Sequence, residues 1–172
     1  AVADVDMKRA HLGKEWIEKF HASHGKPAVD VAVYQDYREM LEDKSIDAVI
    51  ISTPDHWHAL QTIWACQAGK DVYVEKPMSH DVVEGRVAWE AQKKYGVVVQ
   101  HGTQSRSSPF IAGGIQMLRE GIIGDVLVAK AWNIQRRQNI GHAKPTDPPP
   151  HVDYDMWVGP AEWEPYQENR FH

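Results

Sequence analysis

Short apolar runs rich in β-branched residues alternate along this chain with stretches of helical periodicity, and few folds accommodate that alternation. The runs are Ala1 to Ala3, Val29 to Tyr34, Asp47 to Ser52, Asp71 to Val74 and Val97 to Gln100. Between them, apolar residues recur at the spacing of one helical face. Strand and helix repeated in this way predict a parallel sheet with right-handed crossovers, hence an α/β fold. The run from Ala48 to Ile51 is apolar at every position, which suits a central strand covered on both faces.

The helices announce their ends. Asp6 can cap the first, with Leu12, Trp16, Ile17 and Phe20 expected on its buried stripe. Asp36 followed by Glu39 reads as a capping box, with Met40 and Leu41 inward. Thr53-Pro54-Asp55 breaks the third strand and opens a helix through Ala68, stopped by Gly69. Ser79 is the expected cap of the next helix, with Val83, Val87 and Ala91 inward and a stop at Tyr95-Gly96. After Gln104 the character changes. A helix with Ile111, Ile115 and Leu118 on one face leads to an expected strand from Asp125 to Gln135, then to a proline-rich loop up to Pro150. The division expected is residues 1–104 as one domain and 105–172 as the beginning of a second. Both chain ends read as truncated.

Composition removes several function classes. The formal net charge is −5 with basic residues scattered, so no basic patch points to nucleic acid. No apolar run is long enough to cross a bilayer. The single cysteine, Cys66, cannot form an internal disulfide and falls on a helical stripe. A buried, inert thiol is expected there rather than a nucleophile. A cytoplasmic location is the default expectation, with an export signal preceding this sequence as the alternative.

In open parallel sheets, ligands sit at the carboxyl ends of the strands. The residues there are Asp4, Ser52-Thr53-Pro54, Glu75-Lys76-Pro77 and His101 to Gln104. An acidic residue at the tip of the second strand of a Rossmann fold accepts hydrogen bonds from the adenosine ribose and repels a 2′-phosphate. Asp4 fits that role, or else it is an ordinary capping residue. The glycine fingerprint that would decide belongs about 20 residues earlier, and no such motif occurs in the chain. Glu75-Lys76 offers an ammonium to a reacting hydroxyl and a carboxylate to a ribose, or else a surface charge pair before a proline turn. Asp55, His56 and His58 resemble a metal cluster in composition. Residues two apart on a helix point in different directions, so no metal is expected.

Here a resemblance becomes specific. Asp71 to Pro77 resembles the lysine strand of the glucose-fructose oxidoreductase, inositol 2-dehydrogenase and rhizopine-catabolism family. Ile46 to His58 resembles that family's fourth strand and cofactor loop. Ala65 to Pro77 resembles its following helix and lysine strand, Leu118 to Val126 its entry into the second domain, and Asp155 to Ala161 a later loop of one branch. The resemblance implies a Rossmann domain followed by an α/β domain that mediates homo-oligomerisation. It implies NAD, with NADP as the alternative, and a sugar or polyol substrate. By the same resemblance Lys76 is the catalytic lysine. Asp4, Ser52, Thr53, Pro54, His58, Glu75, Lys76 and Gln104 meet the cofactor, and Lys76 and Arg106 face the substrate. The family's downstream aspartate-histidine segment has no counterpart here, so no histidine is assigned to proton transfer. The leading function is a dehydrogenase, favoured by the intact Lys76; the alternatives are a glycosidase working through transient oxidation by NAD and a non-catalytic dinucleotide or sugar sensor.

Overall fold

The computed structural model describes residues 1–132, 135 and 137–171. Strands β1 (Val2–Ala3) and β2 (Val33–Tyr34) pair in parallel as one small sheet. Strands β3 (Ala48–Ile51), β4 (Asp71–Val74) and β5 (Val99–His101) form a second parallel sheet in that order. Helix α1 (Met7–Ser23) connects the first pair, and α2 (Tyr37–Glu42) leads to β3. A 3₁₀ turn at Asp55–Trp57 runs into α3 (His58–Gln67), and α4 (Val82–Tyr95) joins β4 to β5. Helix α5 (Pro109–Arg119) and the short α6 (Tyr154–Val158) follow.

A narrow core explains the second sheet. Val49, Ile51, Val72 and Val74 point to one face, where they meet Leu41 and Ala65. The opposite face of β3 is open, with Ile50 77% exposed. The expectation of a strand covered on both faces therefore fails. The helices that pack on this sheet lie on one side, and among the described residues none covers the other.

Between the two sheets runs an apolar cleft of about 370 Å³, walled by Ala1 to Ala3 on one side and Ala48 to Ile51 on the other. The amides of Val2 and Asp4 are spent on Ala32 and Tyr34 of the β2 segment. The carbonyls of Asp47 and Ile51 are spent on the β4 segment. Parallel pairing alternates sides, so the amides and carbonyls of Ala3, Ala48 and Ile50 face the cleft.

Several expected details shift for steric reasons. Asp6 does cap α1, accepting from the amides of Lys8 and Arg9. The buried contact of α1, however, is Ala10, and Leu12, Trp16, Ile17 and Phe20 lie largely outward. Two strands of two residues each are too narrow to cover a 17-residue helix. The helix comes close only where side chains are small, as at Gly13, where an added Cβ would lie 3.2 Å from Val2. Helix α4 repeats the pattern: Ala88 and Ala91 are buried, while Val83 and Val87 are exposed. Its cap is Asp81, which accepts from the amide of Glu84, and not Ser79. Asp36 caps α2 through the amide of Arg38. The stretch before β2 is held by a side chain instead of a ladder, since Val31 donates its amide to Glu18. Residues 125–132 and 135 form no strand; positions 133 and 134 of that expected strand lie outside the described residues. No described strand pairs with residues 125–132, and an unpaired strand leaves its backbone groups unsatisfied.

One buried charge braces the core. Lys70 is 3% exposed and donates to the carbonyls of Asp43 and Ile46, each at 2.6 Å. Lys70→Met should keep the volume but strand two part-buried acceptors, costing about 1–3 kcal/mol. Urea unfolding should show a lower midpoint with an unchanged slope.

Candidate active site at the carboxyl edge

The strand ends bring most of the expected residues to one edge. After β1, Asp4 is half-buried and its Oδ1 accepts from the amide of Asp6 at 2.8 Å. Its Oδ2 takes no hydrogen bond among the described residues, so one carboxylate oxygen is free for a ligand. Burial holds the Asp4 carboxyl above its usual range, offset in part by the Asp6 amide and by Arg9.

After β3, Ser52 is exposed and Thr53 turns inward, where its hydroxyl donates to Gln61 at 2.8 Å. Pro54 precedes the 3₁₀ turn. His58, the first residue of α3, is 1% exposed, and its ring nitrogens face the carbonyls of Thr53 and Pro77 at 2.8 and 2.7 Å. No ring nitrogen is left for direct contact with a cofactor. The expectation that His58 meets the cofactor is corrected by this burial. His56 turns elsewhere, to the carbonyl of Trp157 at 3.0 Å.

After β4, the Glu75 amide is fixed to the Ile51 carbonyl at 2.9 Å, and the Lys76-Pro77 peptide is cis. The Lys76 amide donates to the Glu75 carboxylate at 3.2 Å. Lys76 lines a cavity of about 360 Å³ with Thr103, Gln104, Ser105 and Arg106. This cavity exists because Gly102 lets β5 leave close beside β4. A Cβ at Gly102 would lie 3.1 Å from the Val74 carbonyl oxygen and 3.2 Å from Glu75 Cα. Lys76 and Arg106 thus line one space together with Gly102, Thr103, Gln104 and Ser105.

Sequence reasoning missed the contribution of the 151–171 segment. Met7 donates its amide to the His151 carbonyl, Asp153 donates to the Val5 carbonyl, and Asp6 bridges to Val152. Further along, the Trp157 carbonyl accepts from the Trp57 indole at 3.2 Å. The segment therefore laces the end of β1 to the turn after β3. Its aperiodic Trp- and Pro-rich composition hides that role. The legible signals are Asp153, which caps α6 through Met156, and Gly159, whose φ of 51° no other residue adopts readily.

Cys66 is fully buried and burial pushes its thiol up, so it is no nucleophile.

The residues present fit part of a dinucleotide. Asp4 keeps an acceptor at the first strand end, and the Lys76 cavity opens at the fourth and fifth. A glycine-rich pyrophosphate cradle is not among the described residues.

Comparison with known proteins agrees with this layout. A stretch of 98 residues, 57% of the chain, is 38% identical to scyllo-inositol 2-dehydrogenase (NAD(+)) of Bacillus subtilis and spans 29% of that protein. Over 135 residues, 75% of the chain, it is 33% identical to an alpha-N-acetylgalactosaminidase of Shewanella oneidensis and spans 27% of it. The chain thus spans under a third of the length of these relatives. The crystal structure of apo scyllo-inositol dehydrogenase from Lactobacillus casei superposes with a TM-score of 0.52 at 28% identity, covering 64% of this chain and 31% of that one. The Gfo/Idh/MocA model, described as an oxidoreductase family with an NAD-binding Rossmann fold, matches residues 12–103. That span runs from α1 to the exit of β5, and on that match the chain belongs to this oxidoreductase family.

Proposed function

We propose that this chain supplies the cofactor half and the catalytic lysine of an NAD-dependent oxidoreductase acting on a sugar or polyol. The observation that carries the reading is the cavity in which Lys76, Gln104 and Arg106 meet at the carboxyl edge of the sheet. When bound, NAD supplies the carbon that accepts a hydride from the substrate carbinol. As the carbinol carbon gives up its hydride, Lys76 Nζ would take the O–H proton and the carbonyl forms; in the reverse direction its ammonium would donate to the carbonyl oxygen and stabilise the negative charge that oxygen gains. Arg106 orients the substrate across the same space. Glu75 holds the nicotinamide ribose, and Asp4 holds the adenosine ribose through its free oxygen. Ser52, Thr53, Pro54 and Gln104 line the path between them. Residues 105–172 begin the second α/β domain, through which the protein forms homo-oligomers.

A second reading is favoured by the similarity to the Shewanella galactosaminidase, which extends over more of the chain than the similarity to the inositol dehydrogenase. In that reading the same oxidation is transient and ends in cleavage of a glycosidic bond. Product analysis separates the two. A panel of polyols and sugars with NAD should yield net NADH. A free sugar released from a glycoside without net NADH would move the protein to the second class. Dinucleotide binding with neither product would make it a sensor. NAD should outperform NADP in kcat/KM, because Asp4 repels a 2′-phosphate. A clear NADP preference would mean that Lys8 and Arg9, exposed just behind Asp4, dominate.

A further inference from the structure

His58 stands between two loops of the site and touches neither solvent nor the cavity. It is 1% exposed, among the largest fully buried side chains of the protein. Its Nδ1 lies 2.7 Å from the Pro77 carbonyl oxygen and its Nε2 lies 2.8 Å from the Thr53 carbonyl oxygen. A carbonyl oxygen only accepts, and a neutral imidazole carries one N–H and one lone pair. A neutral ring would donate to one carbonyl and press a lone pair against the other at hydrogen-bond distance. Turning the ring over would bring its carbon atoms to the carbonyls and lose both bonds. Only a ring with a proton on each nitrogen satisfies both ends.

We infer that His58 is a positioning residue: a doubly protonated ring that clamps the loop after β3 to the loop after β4 and thereby sets where Lys76 stands. A buried positive charge is costly unless oxygen atoms replace its water. This protein meets the same cost in the same way at Lys70, whose buried ammonium is also held by two backbone carbonyls. The clamp closes around the lysine. Just before Lys76, the Glu75 amide is tied to Ile51 of β3. Just after it, the Pro77 carbonyl is tied to His58. The far end of the clamp is itself anchored, since Thr53 also donates to Gln61, one helical turn along α3 from His58. The catalytic meaning of the clamp rests on the reading of Lys76 above; the clamp itself does not.

The test is nitrogen NMR of the imidazole rings in the intact protein at neutral pH, with His58 assigned by its loss in His58→Phe. Both His58 nitrogens should resonate as protonated, with protons slow to exchange. One unprotonated nitrogen overturns the doubly protonated clamp, and this result needs no variant to fold. Phenylalanine fills the ring's space without a donor, so hydrogen exchange then reads the positioning role. The amides of Glu75 and Lys76 should exchange about tenfold faster in His58→Phe than in the parent, while those of Val72 and Val74 hold. Equal exchange at Glu75 and Lys76 reduces His58 to a space-filler and overturns the proposal. Lys76→Ala should leave the His58 nitrogen signals unchanged. Intact hydride transfer in that variant, with the ring signals still present, refutes the role of Lys76 and leaves the clamp standing.

Discussion

Replacing Lys76 by alanine should lower kcat for hydride transfer by about 10²–10³-fold while dinucleotide affinity stays near that of the parent. Geometry gives the first reason. Lys76 follows β4, whose Val74 is fully buried, so its backbone leaves the sheet from a fixed point. The Glu75 amide pins the residue before it to Ile51, and the Pro77 carbonyl pins the residue after it to His58. Its ammonium therefore reaches the cavity with little backbone freedom left to lose. Electrostatics gives the second reason. The contact strengthens as the O–H proton is transferred and the oxygen takes on alkoxide character, so it acts mainly on the transition state. Lys76→Arg should restore little, because a guanidinium is bulkier and does not release its proton. Steady-state kcat together with calorimetric NAD titration measures both effects. A near-normal kcat would demote Lys76 to a structural residue.

Gly159→Ala should be the most damaging single methyl in the described structure. The φ of 51° at this position suits glycine and strains any other residue. The new Cβ would also be driven into the indole of Trp57, which is 7% exposed. Overpacking costs about 1–3 kcal/mol and the strained backbone a similar amount. The indole cannot retreat without releasing the Trp157 carbonyl, which also accepts from His56. The segment from 151 to 171 should therefore lift away from the site. Faster proteolytic cleavage around Tyr154 and a red-shifted tryptophan emission would report it. Parent-like cleavage would show that the contact at Trp57 adjusts freely.

The strand and helix order was legible because short β-branched runs and capping aspartates are local signals. Asp6, Asp36 and Gly96 mark their helix ends in the structure. Burial was less legible because it depends on what lies opposite. The stripe of Leu12, Trp16 and Phe20 has the right period, yet the two-strand sheet beneath α1 is too narrow to cover it. The shared edge at the ends of β3, β4 and β5 was legible because parallel topology alone puts strand ends there. His58 was misplaced for a different reason. Its position after β3 suggested contact with a cofactor, but only the fold reveals that Pro77, 19 residues later, offers its carbonyl to the ring. The link between Trp157 and the turn at His56-Trp57 spans about 100 residues and leaves no periodic trace.

The cleft between the two sheets governs how this chain of 172 residues comes apart. A continuous hydrogen-bonded ladder transmits opening from strand to strand and makes a sheet melt as one unit. Here the ladder stops at β1 and starts again at β3. The halves are joined instead by the 151–171 segment, hydrogen-bonded to Val5 and Met7 on one side and to His56 and Trp57 on the other, and by Tyr37, which packs edge-on to Trp57 at 5.8 Å and stacks on Trp64 at 5.6 Å. The Tyr37 hydroxyl is buried without a partner among the described residues, so the Tyr37 contact itself is apolar and carries no directional bond. This chain of 172 residues, taken by itself, should behave as two cooperative units with separate opening free energies. The β1–α1–β2 unit should open first, before the β3–β4–β5 unit that carries the lysine. Calorimetric and van't Hoff enthalpies should then disagree, and amides of Ala3 and Tyr34 should exchange well before those of Val72 and Val74.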